Sequence, residues 1–318
     1  MSVVRLLPFI GRRLLVLAVL LQVLSLAIFS LLALAPGSAE RALLGTQPAT
    51  PQTLAAIRAQ YHLDQPFLEQ YWLWFRGALH FDFGQSIQNQ QNVSDLITQR
   101  MGVSLKLIGF AFAISIVFGL FFGILAAIRE RSLLDRAIVS GTIVGVSAPA
   151  FVTGIILLYI FGVELHWLPV AAGSSGGFSA YVLPSCGLAI GMMALITRVA
   201  RASMLRELGR DHITFARARG LSYTRVLLVH GVRNALIPVV TSAGLVFSLM
   251  LGGSLLIETV FSLSGVGSLL VTSTLTHDYP VVQGLTLLLA VVIVIVNLLV
   301  DLSYLVLDPR VRFDRARS

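Results

Sequence analysis

Six long apolar segments constrain the fold of this 318-residue chain more than any other feature. A helix needs about 20 apolar residues to cross the hydrocarbon core of a bilayer. Charged residues make up 12% of the chain, about half the share of a soluble domain. We therefore predict an all-α polytopic membrane protein. Its predicted spans are residues 14–35, 103–128, 137–162, 181–200, 235–257 and 281–306.

The first segment also has features of a secretory signal, since Arg12 and Arg13 precede it. Its apolar stretch is longer than the 7 to 15 residues, roughly, of a signal core, and Pro36 would follow the cleavage point. We predict that this segment is retained as the first transmembrane helix.

Arginine placement predicts the orientation of the spans. Three arginines precede the first span, three lie between the second and third, eight between the fourth and fifth, and four follow the sixth. The other side has four, all within residues 36–102. Since basic loops stay in the cytoplasm, both termini are predicted to be cytoplasmic. The net charge of +8 then reflects topology, and a nucleic-acid partner is not expected.

These boundaries divide the chain into four parts. Residues 1–35 hold the N-terminus and first helix, 36–102 form an extracytoplasmic segment, 103–306 hold the other five helices, and 307–318 form a cytoplasmic tail. Residues 36–102 contain an aromatic cluster and a predicted short helix near 52–60. Because aromatic residues anchor at membrane interfaces, we favour a flap on the membrane surface over a lid that contacts substrate.

Glycine and proline patterns indicate how the spans pack. Three spans have two glycines on one helix face, which lets backbones approach closely in lipid. Packing within one subunit is favoured over a dimer interface. Two prolines are predicted to kink their spans. The glycine pairs are Gly119 with Gly123, Gly141 with Gly145 and Gly187 with Gly191, and the prolines are Pro149 and Pro184.

The last span has a polar stripe. Asn297, Asp301, Tyr304 and Asp308 are spaced by four, three and four residues, which places them on one helix face. Polar groups facing lipid are unfavourable. We therefore expect this face to contact protein or water, with an intersubunit or cytoplasmic-end contact favoured over the substrate path.

The basic loop between the fourth and fifth spans has the signals of two short helices that meet at a corner. Asp211 is predicted to cap the first helix, and Gly220 to end it in a left-handed conformation with Leu221 folded back towards Ala216. Ser222 is a second predicted cap, and Leu221 with Val226 has the spacing of a hydrophobic staple. Such a corner would fit a groove on a soluble partner, through small residues at Ala216 and Ala218. A solvated basic loop that only enforces topology is the alternative.

This loop resembles the cytoplasmic EAA-type loop of bacterial ABC importer permeases, in the variant of the dipeptide and oligopeptide group. The similar positions include Ala216-Arg217-Ala218 and Gly220-Leu221-Ser222. Outside the loop, "YHLDQPFLEQYWLWF", "FDFGQSI", "SAPAFVTG", "IETVFSLSGVG" and Asp278-Tyr279-Pro280 also resemble that group. Thr214-Phe215-Ala216 stands where the general loop has Glu-Ala-Ala, so an acidic contact to the partner is absent.

The resemblance implies a multi-pass protein of the bacterial inner membrane that forms half of a peptide pathway. Its implied partners are a second homologous permease, two ATP-binding subunits or one fused subunit, and an extracytoplasmic peptide-binding protein, in addition to membrane lipid. The coupling loop would be residues 206–233. Its contact residues would be Asp211, Thr214, Phe215, Ala216, Arg217, Ala218, Arg219, Gly220, Leu221 and Ser222.

Other functions fit the sequence less well. No phosphate-binding loop of the Gly-x-x-x-x-Gly-Lys-Ser/Thr type occurs, so ATP hydrolysis is expected on partner subunits and the chain is not expected to be an enzyme. We predict no cofactor, no metal site and no catalytic residues. An ion-coupled secondary transporter would show repeats and midspan ionisable groups. Within the family, glutathione or a nickel complex is the alternative substrate to peptides.

Overall fold

The structure is a computed structural model that describes residues 6–33, 43–44, 50–170 and 177–307. Within these ranges the backbone is mainly helical, and a single isolated bridge joins Gln85 to Asn92. We number the helices in chain order. They are α1 (Leu6–Ala33), α2 (Pro51–Gln60), α3 (Phe67–Leu79), α4 (Val93–Ile128), α5 (Leu133–Ser147), α6 (Ala150–Glu164), α7 (Ser179–Leu208), α8 (Asp211–Ala218), α9 (Tyr223–Val260), α10 (Val266–Leu275) and α11 (Tyr279–Leu307).

Four of the described helices are long and apolar enough to cross a membrane: α4, α7, α9 and most of α11. Helices α5 and α6 make a fifth span if the pair is counted as one. The apolar part of α1, Leu15–Ser30, is shorter. The all-helical, polytopic class is confirmed, while the count of six spans and their orientation stay predictions.

Several helix ends differ from the predicted spans because apolar length marks only the part of a helix suited to lipid. Helix α4 begins at Val93 and α9 at Tyr223, well before their apolar stretches. The third span is broken, with α5 and α6 meeting at 104°. Proline disfavours a helical conformation in the residue before it, and Ala148 before Pro149 is extended, at ψ 127°. By contrast, α7 runs without a break past Pro184.

One compact unit comprises residues 1–104 and 264–295. Its core lies between α1, the start of α4, α10 and α11, with Ile97 and Leu285 fully buried. Gly284 allows a close approach, since a Cβ there would lie 2.9 Å from the Phe83 ring. The predicted helix near 52–60 is confirmed as α2, and Thr50 caps its N-terminus.

The second unit comprises residues 105–263 and 296–318. Helix α7 is at its centre and packs against α5, α6 and α9. On five of the six predicted glycines, an added Cβ would lie 3.4 Å or less from another helix of this chain, which confirms the interpretation of internal packing for them. On the sixth, Gly141, a Cβ would meet nothing within 4 Å. At Gly119 a Cβ would lie 2.7 Å from Ile196, and at Gly123 it would lie 2.6 Å from Ala200. These contacts hold α4 against α7.

Candidate functional site

The candidate site is the corner that residues 211–233 form between α7 and the apolar part of α9, here called the elbow. Its first arm is α8. Asp211 is the first residue of α8, and the Arg210 carbonyl accepts the N–H of Thr214 at 3.4 Å. The capping position is therefore Arg210, one residue before the predicted cap. The Asp211 carboxylate instead lies in the first turn, where a negative charge suits the helix dipole.

Gly220 makes the corner of the elbow. Its φ is +76°, a region that residues with a Cβ adopt only under strain. The Leu221 N–H donates to the Ala216 carbonyl at 3.3 Å, which is the six-residue bond of a Schellman motif. The predicted end of α8 is confirmed in both its glycine and its hydrogen bond.

The second arm differs from the prediction of a short helix. Ser222 precedes the arm as predicted, with extended backbone, but its side chain makes no capping hydrogen bond. From Tyr223 the chain passes through a π-helical stretch, Val226–Val232, and continues into α9 up to Val260. The second arm is thus the beginning of a long apolar helix, which continues past Gly231 and Pro238. A displacement of the corner acts on α9 without an intervening loop.

The two arms are held together by a small core of their own. Ile213, Ala216 and Val226 are buried against one another, and Leu221 packs on them. This confirms the predicted staple between Leu221 and Val226. Ala216 is only 9% exposed, so it belongs to the interior of the elbow and not to a surface that a partner can reach.

Other predicted contact residues lie on the outside of the elbow. Phe215 is 70% exposed, although large aromatic side chains are usually covered in folded proteins. Its neighbours Asp211, Thr214, Ala218 and Arg219 are exposed as well, and the Arg217 side chain lies outside the described residues. The exposed face of α8 therefore combines one large apolar side chain with small and charged residues.

Glu207 ties the base of the elbow to α7, a role that the sequence patterns did not show. Its side chain is 11% exposed and lies 3.1 Å from Arg210 Nε and 3.6 Å from His212 Nε2. Asn234, at the start of the apolar part of α9, donates to it at 3.5 Å. One sequence feature could have indicated this role: residues 198–233 contain eight arginines but only two acidic residues, Glu207 and Asp211.

A second polar contact fixes α5 to α7 near the elbow. Arg201 donates two hydrogen bonds to Asp135, at 2.6 Å and 2.7 Å. The Asp135 carboxylate is 5% exposed and also accepts the Arg131 N–H at 3.0 Å. Two-point pairing of this kind is directional as well as strong. The segment between the second and third predicted spans is thereby joined to the end of the fourth.

The polar stripe of the last helix is only partly described. Asn297 is exposed and Asp301 half-buried, both on α11, while the Tyr304 side chain and Asp308 lie outside the described residues. Val300 packs against Gly244 of α9. Val300 lies three residues after Asn297 and so borders the stripe, and the role predicted for the stripe stays a prediction.

A third polar contact, in the other unit, joins two motifs that are far apart in sequence. Asp278 is 1% exposed and accepts Ser86 Oγ–H at 2.5 Å, the Ile87 N–H at 3.1 Å and the Gln88 N–H at 3.3 Å. We call this contact the 86–278 junction. Burial, and secondarily the charge of Asp278, raise the pKa of Tyr61, so its phenol stays protonated and donates to Gln85.

These features define a class of protein: a polytopic helical membrane protein with a stiff corner joined directly to a long apolar helix. Comparison with known families agrees. Residues 119–313 match the family described as binding-protein-dependent transport system inner membrane component, and residues 6–108 match the N-terminal part of that component. The chain belongs to this family of ABC importer permeases, which are multi-pass proteins of the bacterial inner membrane.

Individual relatives cover almost the whole chain. It is 38% identical to the glutathione transport system permease protein of Escherichia coli strain K12, over 96% of this chain and 99% of that protein. It is also 38% identical to a putative peptide transport system permease protein of Brucella abortus strain 2308, over 92% and 95%. A crystal structure of an amino acid ABC transporter has a similar fold, with a TM-score of 0.51, 19% identity, and coverage of 66% of this chain and 92% of that one.

Proposed function

We propose that this chain is one of two homologous permease subunits of an ATP-driven importer for peptides. The family match and the relatives named for peptide and glutathione transport support this assignment. The chain contributes half of the translocation pathway. Glutathione is itself a tripeptide and is the second candidate substrate, favoured by the relatives that carry its name.

The proposed topology has six spans with both termini in the cytoplasm. Two contacts support it. Asp135 and Arg201 join segments that the arginine distribution places on the cytoplasmic side. Ser86 and Asp278 join segments that it places on the opposite side. In each unit, contacting loops therefore belong to the same predicted compartment.

In this proposal the elbow is the docking point for an ATP-binding subunit. The observation that carries the proposal is the exposed Phe215 on a helix that its own core and Gly220 hold rigid. Large aromatic residues fixed on a rigid element are frequent anchors of protein interfaces. Phe215 enters a cleft of the partner, and the exposed Arg219 lies at the rim of the contact.

Energy reaches the pathway through this contact. Two ATP-binding subunits, or one fused subunit, close on ATP and displace the two elbows of the permease pair. The second arm of the elbow is the start of α9. Glu207 of α7 contacts Arg210 at the base of the elbow, and Arg201 of α7 pairs with Asp135 of α5. The helices therefore move together with the elbow. Such a contact transmits force only if it binds the two states of the permease with different affinity. An extracytoplasmic peptide-binding protein delivers the substrate.

The proposal is tested by substituting Phe215 with alanine in the assembled transporter. Loss of an interface anchor weakens binding by about 2 kcal/mol or more, about thirtyfold. We expect the ATP-binding subunit to be lost during purification of the Phe215→Ala variant, and uptake of labelled peptide to fall, with the chain still in the membrane.

Phe178→Ala is the matched control, because Phe178 is also 70% exposed but lies outside the elbow. This variant should keep the ATP-binding subunit and peptide uptake. Equal retention of the subunit by both variants would remove the docking role from α8. Uptake that persists without ATP but stops when ion gradients are dissipated would instead favour an ion-coupled transporter.

A further inference from the structure

Helix α3 has an exposed apolar stripe that its own unit leaves uncovered. Leu68, Trp72 and Leu79 lie at helical spacing and are 70%, 58% and 68% exposed. The neighbouring face of α3 carries Tyr71 and Trp74 and packs into the unit. A helix that is apolar on two faces, with one face exposed, needs a second apolar environment.

The position of α3 against α1 indicates what that environment is. The Tyr71 hydroxyl lies 2.6 Å from Gln22 Nε2 and 2.7 Å from Ser25 Oγ. Phe29 contacts the rings of Tyr71 and Trp74. Gln22, Ser25 and Phe29 all lie within Leu15–Ser30, the apolar part of α1. Helix α3 therefore lies beside the part of α1 that is suited to hydrocarbon.

The depth of this contact follows from helix geometry. Ser25 lies eight residues before Ala33, the last residue of α1, and all residues between them except Ser30 are apolar, so this contact is about 12 Å from that end of the helix at a rise of about 1.5 Å per residue. Helices that lie in a membrane interface bury their apolar face about 5–10 Å into the boundary between headgroups and acyl chains. The contact of Tyr71 with α1 is at least that deep, which places the neighbouring exposed face of α3 at the level of the acyl chains.

Two further observations agree with a lipid environment. Helix α1 has its own exposed apolar residues, among them Val19 and Val23, as expected of a helix at the edge of a bundle. On α3, the exposed residues Glu69 and Arg76 lie about 80° and about 60° around the helix from the middle of the stripe. Charged side chains at these angles extend to headgroups while the stripe enters the acyl region.

We propose that α3 is seated in the lipid leaflet that surrounds the C-terminal half of α1, with Leu68, Trp72 and Leu79 among the acyl chains. The occupant of this surface is phospholipid, and not substrate or a second protein. The proposal depends on contacts within one unit and does not require the coupling role of the elbow.

The test uses the fluorescence of Trp72 in the purified chain, reconstituted in phospholipid vesicles. The substitutions Trp74→Phe and Trp167→Phe leave Trp72 as the single tryptophan among the three of the chain. Both are mild: Trp167 is 69% exposed, and the Trp74 indole N–H is buried without a hydrogen-bond partner, so its removal leaves no acceptor unpaired. Phospholipids brominated in their acyl chains should lower the emission about twofold or more, as expected for a side chain at interfacial depth. Aqueous iodide should have little effect.

The matched control adds Gln91→Trp and Trp72→Phe to the same background, because Gln91 is exposed in a loop. Iodide should quench this tryptophan and brominated lipid should not. Quenching of Trp72 by iodide alone would overturn the proposal, and so would protection of Trp72 from both quenchers, which indicates a protein cover. The unaltered chain gives a second readout: a phospholipid with a photoreactive acyl chain should label residues 67–79, and absence of label there contradicts the proposal.

Discussion

The elbow and the 86–278 junction are both polar, well-defined structures, but they are specified in opposite ways. In the elbow the corner and its small core join residues that all lie between 213 and 226, as in the hydrogen bond from Leu221 to Ala216. In the junction, Ser86 and Asp278 are separated by 192 residues. The first structure follows from local conformational rules, and the second exists only after the unit has folded.

This difference has consequences for stability and for motion. A corner stabilised by its own short-range contacts keeps its shape while the helices that carry it change position. A buried carboxylate that accepts three donors joins two distant segments and loses its partners if either segment moves. The elbow is thus built to be displaced as a unit, and the junction to hold residues 86–88 and 278 in one arrangement.

The largest expected effect is at the junction. Asp278→Ala leaves the buried Ser86 hydroxyl without its acceptor and removes the acceptor of the Ile87 and Gln88 N–H groups. A buried donor left without its acceptor costs about 1–3 kcal/mol. We expect a lower thermal unfolding midpoint in detergent and rapid proteolysis within residues 50–102.

Asp64→Ala is the control for that experiment, since Asp64 is exposed and exposed substitutions change stability by about 0.5 kcal/mol or less. Equal midpoints for the two variants would show that the junction does not stabilise its unit. The long-range contacts of the junction would then not have the stabilising role that distinguishes them here from the local contacts of the elbow.

An intermediate effect is expected at the corner of the elbow. Gly220→Ala has room for its methyl group, since nothing lies within 4 Å of a Cβ there, so its cost is backbone strain of about 1–2 kcal/mol. Gly220→Pro is more severe, because proline fixes φ near −65°. We expect Gly220→Pro to abolish uptake with the chain still inserted, and Gly220→Ala to reduce it.

Gly209→Ala provides the comparison within the same region. Gly209 has a φ of −85° and a Cβ there would make ordinary contacts, so this variant should transport normally. Normal uptake by Gly220→Pro, with the ATP-binding subunit retained, would mean that the shape of the corner is irrelevant to transport.

The smallest expected effect is at Glu207, where the elbow meets α7. Glu207→Gln keeps the size of the side chain and removes its charge. The ion pair with Arg210 is partly exposed, so stability should fall by about 1 kcal/mol or less. A looser base should instead reduce the peptide imported per ATP hydrolysed. Glu130→Gln, at an exposed pair with Arg131, should leave this ratio unchanged, and an unchanged ratio in Glu207→Gln would exclude a coupling role.

The sequence predicted local contacts well and long-range contacts poorly. Gly220, Leu221 and Val226 were correctly placed because glycine conformation and helix-end spacing are local properties. The long continuation of α9 was missed, since apolar length alone does not show where a helix begins. Asp278, Glu207 and the pair of Asp135 with Arg201 were missed as contacts, because a single sequence does not show which distant polar groups meet. Ala216 was assigned to the partner surface and is instead buried in the elbow.

The central claim is that the outer face of α8 receives force from an ATP-binding subunit. A photoreactive amino acid at position 215, in the otherwise intact transporter, tests it most directly. The account predicts that illumination joins this chain to the ATP-binding subunit, and that the yield changes when ATP is trapped in the closed state. Attachment to the extracytoplasmic binding protein, or to lipid alone in the complete complex, would contradict it.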